Sequence, residues 1–129
     1  MSTILIIDDE LPTLQMLSLY LEACGHNVLT AENETRGLEV FKREQPPIVL
    51  TDIKMPGRDG LDVLRQIKSL SPQTEVVVIT GHGDKALAQQ ALDLKASAFF
   101  NKPLDTEALD RAIKEIEQRL TQPSSGSER

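Results

Sequence analysis

Residues 4–10 read Ile-Leu-Ile-Ile-Asp-Asp-Glu, four consecutive apolar side chains followed directly by three acidic ones. An unbroken apolar run of this length, without polar alternation, is typical of a β-strand that is covered on both faces, as in parallel sheets. Four more short runs of this kind follow along the chain, at residues 28–31 (mixed), 48–50, 76–79 and 98–100. The sequence therefore predicts five largely buried strands.

The stretches between these runs carry apolar residues at helical spacing. Steps of three and four place such residues on one face of an α-helix. The residues that form the five stripes are Leu14, Leu17 and Leu21; Leu38 and Phe41; Leu61, Leu64 and Ile67; Ala88, Ala91 and Leu92; and Leu109, Ile113, Ile116 and Leu120. Regular alternation of strand and helix predicts an α/β protein with a doubly wound parallel sheet, helices on both faces and right-handed crossovers.

Helix-end residues lie where this division of the chain needs them. Gly25 follows the first helix, and Asn33 and Asp105 are suited to cap the second and fifth. We expect one folded domain over residues 1–121. Residues 122–129, rich in Ser with one Pro and one Gly, are expected to form a flexible tail or the start of a linker.

Composition excludes several classes of function. A length of 129 residues suits a single domain, and a net charge of -6 disfavours direct binding to nucleic acid. The longest apolar runs are four residues, too short to cross a membrane, and the acidic run at residues 8–10 is unlike a signal peptide. Cys24 is the only cysteine, so an intramolecular disulfide is excluded, and we expect a small buried side chain on a helix. The expected location is the cytoplasm.

Polar side chains follow the strands at one edge of the predicted sheet, and ligands of open α/β sheets bind beyond this edge. Asp8 and Asp9 follow the first strand, Asp52 the third, Thr80 the fourth and Lys102 the fifth. Clustered carboxylates repel one another unless a cation compensates their charge, and hard oxygen ligands are those that Mg²⁺ prefers. The sequence therefore predicts a divalent-cation site here.

Together, these residues resemble the receiver domain of two-component response regulators. The matching segments are Asp8-Asp9, Asp52-Ile53-Lys54-Met55-Pro56-Gly57-Arg58-Asp59-Gly60, Thr80-Gly81-His82-Gly83-Asp84, and Phe99 with Lys102-Pro103. The resemblance runs from about Ile4 to Leu120. It implies a flavodoxin-like fold with five parallel strands in the order 2-1-3-4-5 and five helices.

The resemblance also implies a phosphoacceptor function. Asp52 would take a phosphoryl group from a histidine kinase or a histidine phosphotransfer protein, and Lys102 would neutralise part of its charge. The implied cofactor is Mg²⁺, held by Asp9, Asp52 and the backbone carbonyl of Lys54, with Asp8 acting largely through water. The chain would then be a signalling domain rather than an enzyme, although it takes part in its own phosphorylation and slow dephosphorylation.

Two further pairs of residues have roles implied by the resemblance. Thr80 and Phe99 would form the switch that changes the face made by helix 4, strand 5 and helix 5. That face would control a partner protein or an attached effector domain, or a phosphorylation-dependent homodimer. Lys54 and His82 would set the lifetime of the phosphoryl group.

One departure from the family and three alternatives stand beside this interpretation. Lys95 occupies a position that is usually a small residue, so we expect the end of the fourth helix to be frayed or rearranged. A degenerate receiver acting as an interaction scaffold is one alternative. A haloacid-dehalogenase-like phosphatase would need an Asp at Lys54, and a nucleotide-binding module would need a Gly-rich loop where Asp8 and Asp9 stand.

Overall fold

The computed structural model of the chain describes residues 2–52, 60–81, 85–102 and 104–121. Strands and helices alternate along these ranges. The elements are β1 (Thr3–Ile7), α1 (Leu11–Ala23), β2 (Asn27–Ala31), α2 (Glu34–Glu44), β3 (Ile48–Asp52), α3 (Gly60–Leu70), β4 (Glu75–Thr80), α4 (Lys85–Asp93), β5 (Ala98–Asn101) and α5 (Thr106–Thr121). The predicted tail at residues 122–129 lies outside the described residues. None of the described helices has both the length and the apolar composition needed to span a bilayer.

The strands form one parallel sheet in the order β2-β1-β3-β4-β5, which confirms the predicted order. β1 lies between β2 and β3, and its residues Ile4–Ile7 pair with both neighbours. β3 and β4 extend one or two residues beyond the predicted apolar runs, to Asp52 and Thr80. These two polar residues are therefore fixed by the sheet itself rather than by a loop.

Alternate residues of each strand face two separate cores, because successive side chains of a strand point to opposite faces. Leu5 and Ile7 belong to the core under α2, α3 and α4, whereas Ile4 and Ile6 belong to the core under α1 and α5. Helices therefore cover both faces of the sheet, as predicted.

The predicted N-caps are both present. Asn33 Oδ1 accepts a hydrogen bond of 2.8 Å from the Arg36 N–H at the start of α2. Asp105 Oδ1 accepts hydrogen bonds of 3.0 and 3.2 Å from the N–H groups of Glu107 and Ala108. Each cap satisfies backbone donors that the helix itself leaves without a partner.

The end of α4 is closed by hydrogen bonds, so the expectation that it is frayed or rearranged is wrong. Lys95 takes a left-handed backbone conformation with φ of 75°, as its place in the sequence suggested. The Ala96 N–H donates to the Ala91 carbonyl at 3.0 Å, and the Lys95 N–H donates to the Leu92 carbonyl at 2.9 Å. These two bonds form a Schellman closure, which satisfies the last carbonyls despite the unfavourable residue.

Three side chains predicted to be buried are exposed. Cys24 lies at the end of α1, where the chain turns away from the core, so it is exposed rather than buried. Leu92 is 48% exposed because the neighbouring Ala91 takes the buried position of its stripe. Leu120, 38% exposed, lies in the last turn of α5, beyond the buried Ile116.

Candidate functional site

One ammonium group lies among three carboxylates at the carboxyl edge of the sheet. Lys102 Nζ donates to Asp8 Oδ2 at 3.1 Å, to Asp52 Oδ2 at 3.1 Å and to Glu10 Oε1 at 2.6 Å. Asp8 directly follows β1 and Asp52 ends β3, so the two acids come from adjacent central strands. Lys102 directly follows β5 and reaches both acids across the end of β4.

Backbone contacts at the end of β4 fix the path of the Lys102 side chain. The Lys102 N–H donates to the Thr80 carbonyl at 2.8 Å, which ties the start of the Lys102 loop to β4. A Cβ added at Gly81 would lie 3.9 Å from Lys102 Cδ, so the aliphatic stem of the lysine passes beside this glycine. The long side chain therefore follows the strand end toward the acids.

The site is buried on one side and open on the other. Asp8 and Asp52 are 2% and 4% exposed, whereas the Glu10 side chain is 59% exposed. Asp8 is held from two directions, because its Oδ1 accepts from the Glu10 N–H at 2.9 Å and its Oδ2 faces Lys102. Glu10 therefore forms the solvent side of the site.

Charge at the site is unbalanced toward the negative. Burial raises the pKa of Asp8 and the nearby Asp52 charge adds to this rise, against the lowering by the Glu10 N–H and the Lys102 ammonium. Burial lowers the pKa of Lys102, but its hydrogen bonds to Glu10, Asp52 and Asp8 outweigh this and hold that pKa above its ordinary value. The pKa of Glu10 lies below its ordinary value because it accepts from Lys102. Within the described ranges, one ammonium group thus pairs with three carboxylates.

The donor atoms suit a divalent cation. Carboxylate oxygens of Asp8, Glu10 and Asp52 lie within 4.8 Å of one another, and hard oxygen donors of this kind are the ligands of Mg²⁺. In the described part of the chain, the structure thus gathers the predicted Asp8 and Asp52 and adds Glu10. The exposed Asp9 is not a member of this group. The predicted Lys54 carbonyl lies outside the described residues.

The two predicted switch residues lie on neighbouring strands. Thr80, the last residue of β4, is completely buried, and Phe99 of β5 pairs in register with Val78 of β4. Because Val78 and Thr80 are two residues apart, Thr80 and Phe99 share one face of the sheet. Phe99 is partly buried and packs against the core under α2, α3 and α4. His82, a predicted lifetime residue, lies outside the described ranges.

Sequence reasoning missed Glu10. The signal was present, because Glu10 is the third acid of the run at residues 8–10. An acidic residue at a helix N-terminus is stabilising without any specific partner, so its type and position alone do not indicate a contact with Lys102.

Comparisons with known proteins agree with this geometry. Residues 4–114 match the family model described as response regulator receiver domain. The chain is 31% identical over 111 residues to Sporulation initiation phosphotransferase F of Bacillus subtilis (strain 168), a match that covers 86% of this chain and 90% of that protein. It is 34% identical over 110 residues to the transcriptional regulatory protein GlrR of Escherichia coli (strain K12), covering 85% of this chain but only 25% of GlrR.

A solved structure gives the same result. The structure of a response regulator receiver domain protein from Clostridium thermocellum has a TM-score of 0.87 and 39% identity to this chain, covering 92% of this chain and 96% of that one. Family model, relatives and structure thus agree on the fold and on nearly the whole described length. The chain belongs to the response regulator receiver domain family, the signalling domain of two-component systems.

Proposed function

We propose that this receiver domain accepts a phosphoryl group on Asp52 from a histidine kinase or a histidine phosphotransfer protein. The observation that carries the proposal is a buried carboxylate at the end of a central strand, with an ammonium group 3.1 Å away. The relative whose length this chain nearly matches is called a phosphotransferase, which supports the same class of chemistry.

The chemistry needs positioning and charge neutralisation more than covalent assistance. An Asp52 oxygen forms a bond to phosphorus while the bond from phosphorus to the donor's imidazole nitrogen breaks, and that electron pair stays on the imidazole. Lys102 is placed to neutralise charge that develops on the phosphoryl oxygens. Its ammonium already lies beside Asp52, so it needs no large movement.

Mg²⁺, when bound, supplies further neutralisation of the phosphoryl oxygens. The oxygens of Asp8, Asp52 and Glu10 are close enough together to hold it or the waters around it. Asp9 and the Lys54 carbonyl remain proposed ligands on the basis of the family resemblance. Asp9 directly follows Asp8 and is exposed at the same edge of the sheet.

Phosphorylation is proposed to act through Thr80 and Phe99 on the face made by α4, β5 and α5. The shared sheet face of these two residues supports a concerted movement. Truncation of Thr80 to Ala should leave phosphorylation of Asp52 intact and reduce the change in hydrogen exchange over residues 85–120. An unchanged response would remove Thr80 from the switch.

The wider setting is also proposed rather than shown. We infer a cytoplasmic domain whose switching face controls a partner protein, an effector domain or a homodimer, with residues 122–129 as a tail or linker. The chain spans only a quarter of the length of GlrR, in which a receiver-like segment is part of a longer transcriptional regulator. Lys54 and His82 are proposed to set the phosphoryl lifetime, and replacement of both with Ala should change the rate of phosphate loss about threefold or more.

The decisive experiment is incubation with acetyl phosphate and Mg²⁺, followed by mass spectrometry. Wild-type protein should gain one phosphoryl group on Asp52, and Asp52→Asn should gain none. Asp93→Asn, at an exposed position of α4, is the matched control and should be labelled like wild type. Labelling of Asp52→Asn would contradict the assignment of the acceptor, and an unlabelled wild type would favour the interaction scaffold instead.

A further inference from the structure

Glu10 is placed at the start of α1 but does not act as a helix cap. It occupies the N-cap position with an extended backbone, and its side chain makes no capping hydrogen bond. Instead, Glu10 Oε1 lies 2.6 Å from Lys102 Nζ, the shortest of the three contacts of that ammonium. The same oxygen also accepts from the Thr13 hydroxyl of α1, at a longer 3.5 Å, so Lys102 is the closer of these two partners of the side chain.

All three N–H donors of the Lys102 ammonium are used in this arrangement. A lysine carries three N–H donors, and Asp8, Glu10 and Asp52 each accept one. A phosphoryl oxygen on Asp52 can gain a direct hydrogen bond from Lys102 only if one of these acceptors gives up its place. The three acids differ sharply in how easily they can do so.

Glu10 is the acceptor that can leave. Asp8 and Asp52 are buried, so an oxygen that lost Lys102 would lose a partner in a place with little access to water. Glu10 is mostly exposed, and its carboxylate can turn into solvent and be hydrated at small cost. The contact between Glu10 and Lys102 is thus close enough to orient the ammonium, and the exposure of Glu10 keeps the free-energy cost of breaking it small.

We propose that Glu10 is a positioning residue that holds Lys102 before phosphorylation and competes with the phosphoryl group for the same ammonium. This inference rests on the proposed function of Asp52 as the acceptor. In the unphosphorylated protein, Glu10 fixes the Lys102 side chain beside Asp52. Upon phosphorylation, Glu10 releases Lys102 and turns into solvent.

Two variants separate this competition from a general effect of negative charge. Glu10→Gln removes the charge and weakens the contact. Glu10→Asp keeps the charge but is one methylene shorter, so it no longer reaches Lys102 with the same geometry. Glu32→Gln removes an exposed carboxylate from the loop after β2, at the same edge of the sheet, and serves as the control.

The first measurement uses metal-free, unphosphorylated protein. The ¹⁵N–¹H signal of the Lys102 ammonium, assigned by its loss in Lys102→Arg, should be visible in wild type because its hydrogens exchange slowly. It should broaden in both Glu10 variants and stay unchanged in Glu32→Gln. A signal that is equally sharp in all four proteins would overturn the claim that Glu10 holds Lys102.

The second measurement is the affinity for beryllium fluoride, which mimics a phosphoryl group on an aspartate, at saturating Mg²⁺. Both Glu10 variants should bind it about threefold more tightly than wild type, the size expected from an exposed ion pair. Tighter binding by Glu10→Gln but not by Glu10→Asp would mean that only the charge matters, and would overturn the competition. Failure of wild type to bind would instead contradict the proposed function, while the ammonium signal would still decide whether Glu10 holds Lys102.

Discussion

Gly37 sets how closely α2 packs against the sheet. A Cβ at this position would lie 2.6 Å from Ile7 Cδ1 and 2.9 Å from Ile7 Cγ1, closer than carbon atoms approach without displacement. Ile7 is completely buried in the middle of the sheet, so its side chain has little room to move away. The absence of a side chain at Gly37 is therefore a packing requirement, although glycine is a poor helix former.

Replacement of Gly37 with Ala should lower the free energy of unfolding by about 1 kcal/mol. Overpacking against Ile7 costs about 1–3 kcal/mol, and the better helix propensity of alanine offsets part of that cost. Thr35→Ala, at an exposed position of the same helix, carries only the propensity gain and should stabilise slightly. Urea unfolding of both variants measures the difference, and a Gly37→Ala protein as stable as Thr35→Ala would show that Ile7 adjusts freely.

Individual site residues were predictable where their chemistry conflicts with their position. An acid or a lysine at the end of an apolar run, as at Asp8, Asp52 and Lys102, is not required to bury the sheet and therefore indicates a site. Glu10 was not predictable, because its position at a helix start already accounts for an acid there. Cys24 was wrongly predicted to be buried, because free cysteines are usually packed, whereas this one lies just after the last residue of α1 and is exposed.

Two helices end with the same backbone geometry but with different residues. Gly25 lies two residues after the end of α1 and Lys95 two residues after the end of α4, and both have positive φ, of 96° and 75°. In both, the next residue donates back to a carbonyl five positions earlier, from His26 to Leu21 and from Ala96 to Ala91. The packing of the chain therefore sets this hydrogen-bonded helix end, and the residue type at the left-handed position changes only its free-energy cost.

Lys95→Gly should raise the free energy of unfolding by about 1 kcal/mol, because glycine adopts the left-handed conformation without the steric cost of a Cβ. Gly25→Ala is the reciprocal test and should destabilise by a similar amount. Nothing lies within 4 Å of a Cβ added at Gly25, so this cost comes from the backbone alone. Denaturant unfolding compares the two, and a loss of stability in Lys95→Gly would mean that the lysine side chain contributes more than its backbone conformation costs.

Strands and helices were predictable in type and order, but less so in extent. Apolar periodicity reports which residues are buried, and it located all the elements in the described ranges. Backbone pairing continues beyond the apolar run, so Asp52 pairs with Ile79 and Thr80 pairs with Asn101 as part of the sheet. Hydropathy gives no sign of this, since the ladder needs backbone groups and not apolar side chains.

The end of the sheet opposite the proposed phosphorylation site is held by hydrogen bonds that join α5, the residue before β1 and the loop before β2. The Ser2 hydroxyl donates to Glu117 Oε2 at 2.6 Å, and the Ser2 N–H donates to His26 Nδ1 at 3.2 Å, which links α5 to the start of β1 and the loop before β2. Burial raises the pKa of Glu117, but the hydrogen bond from the Ser2 hydroxyl and neighbouring positive charge outweigh that rise, so the pKa lies below its ordinary value of 4.5.

Glu117→Gln should lower the free energy of unfolding by about 0.5 kcal/mol at pH 7, because the Ser2 hydroxyl loses a charged acceptor at a partly exposed position. A carboxylate whose pKa is depressed in the folded state stabilises above its unfolded value and loses that contribution as the pH falls through the folded value. The difference between Glu117→Gln and wild type should therefore be present at pH 7 and shrink below pH 4.5. Urea unfolding across this range measures it, and a difference independent of pH would assign the effect to packing instead.

At the carboxyl end of the sheet, the described side chains around Lys102 carry more negative than positive charge. The raised pKa of Asp8 means that its folded form resists ionisation, so stability falls as the pH rises through the ordinary value toward the folded one, and stays lower above it. Asp52 is buried beside it and adds to this repulsion. The pair of buried carboxylates therefore lowers the stability of the fold, as is typical of residues that are retained for function.

Asp8→Asn should for this reason stabilise the metal-free protein at pH 7, by about 1 kcal/mol. The asparagine oxygen can still accept from the Glu10 N–H, and Lys102 keeps Glu10 and Asp52 as acceptors, so the variant removes a buried charge at the cost of one of the three Lys102 hydrogen bonds. Millimolar Mg²⁺ should raise the unfolding midpoint of wild type through binding to the folded state, and raise that of the variant much less, because one carboxylate of the site is gone. Asp93→Asn should respond to Mg²⁺ like wild type. Thermal unfolding with EDTA and with Mg²⁺ decides the question, and an Asp8→Asn protein less stable than wild type in EDTA would show that its attraction to Lys102 outweighs the cost of burying its charge.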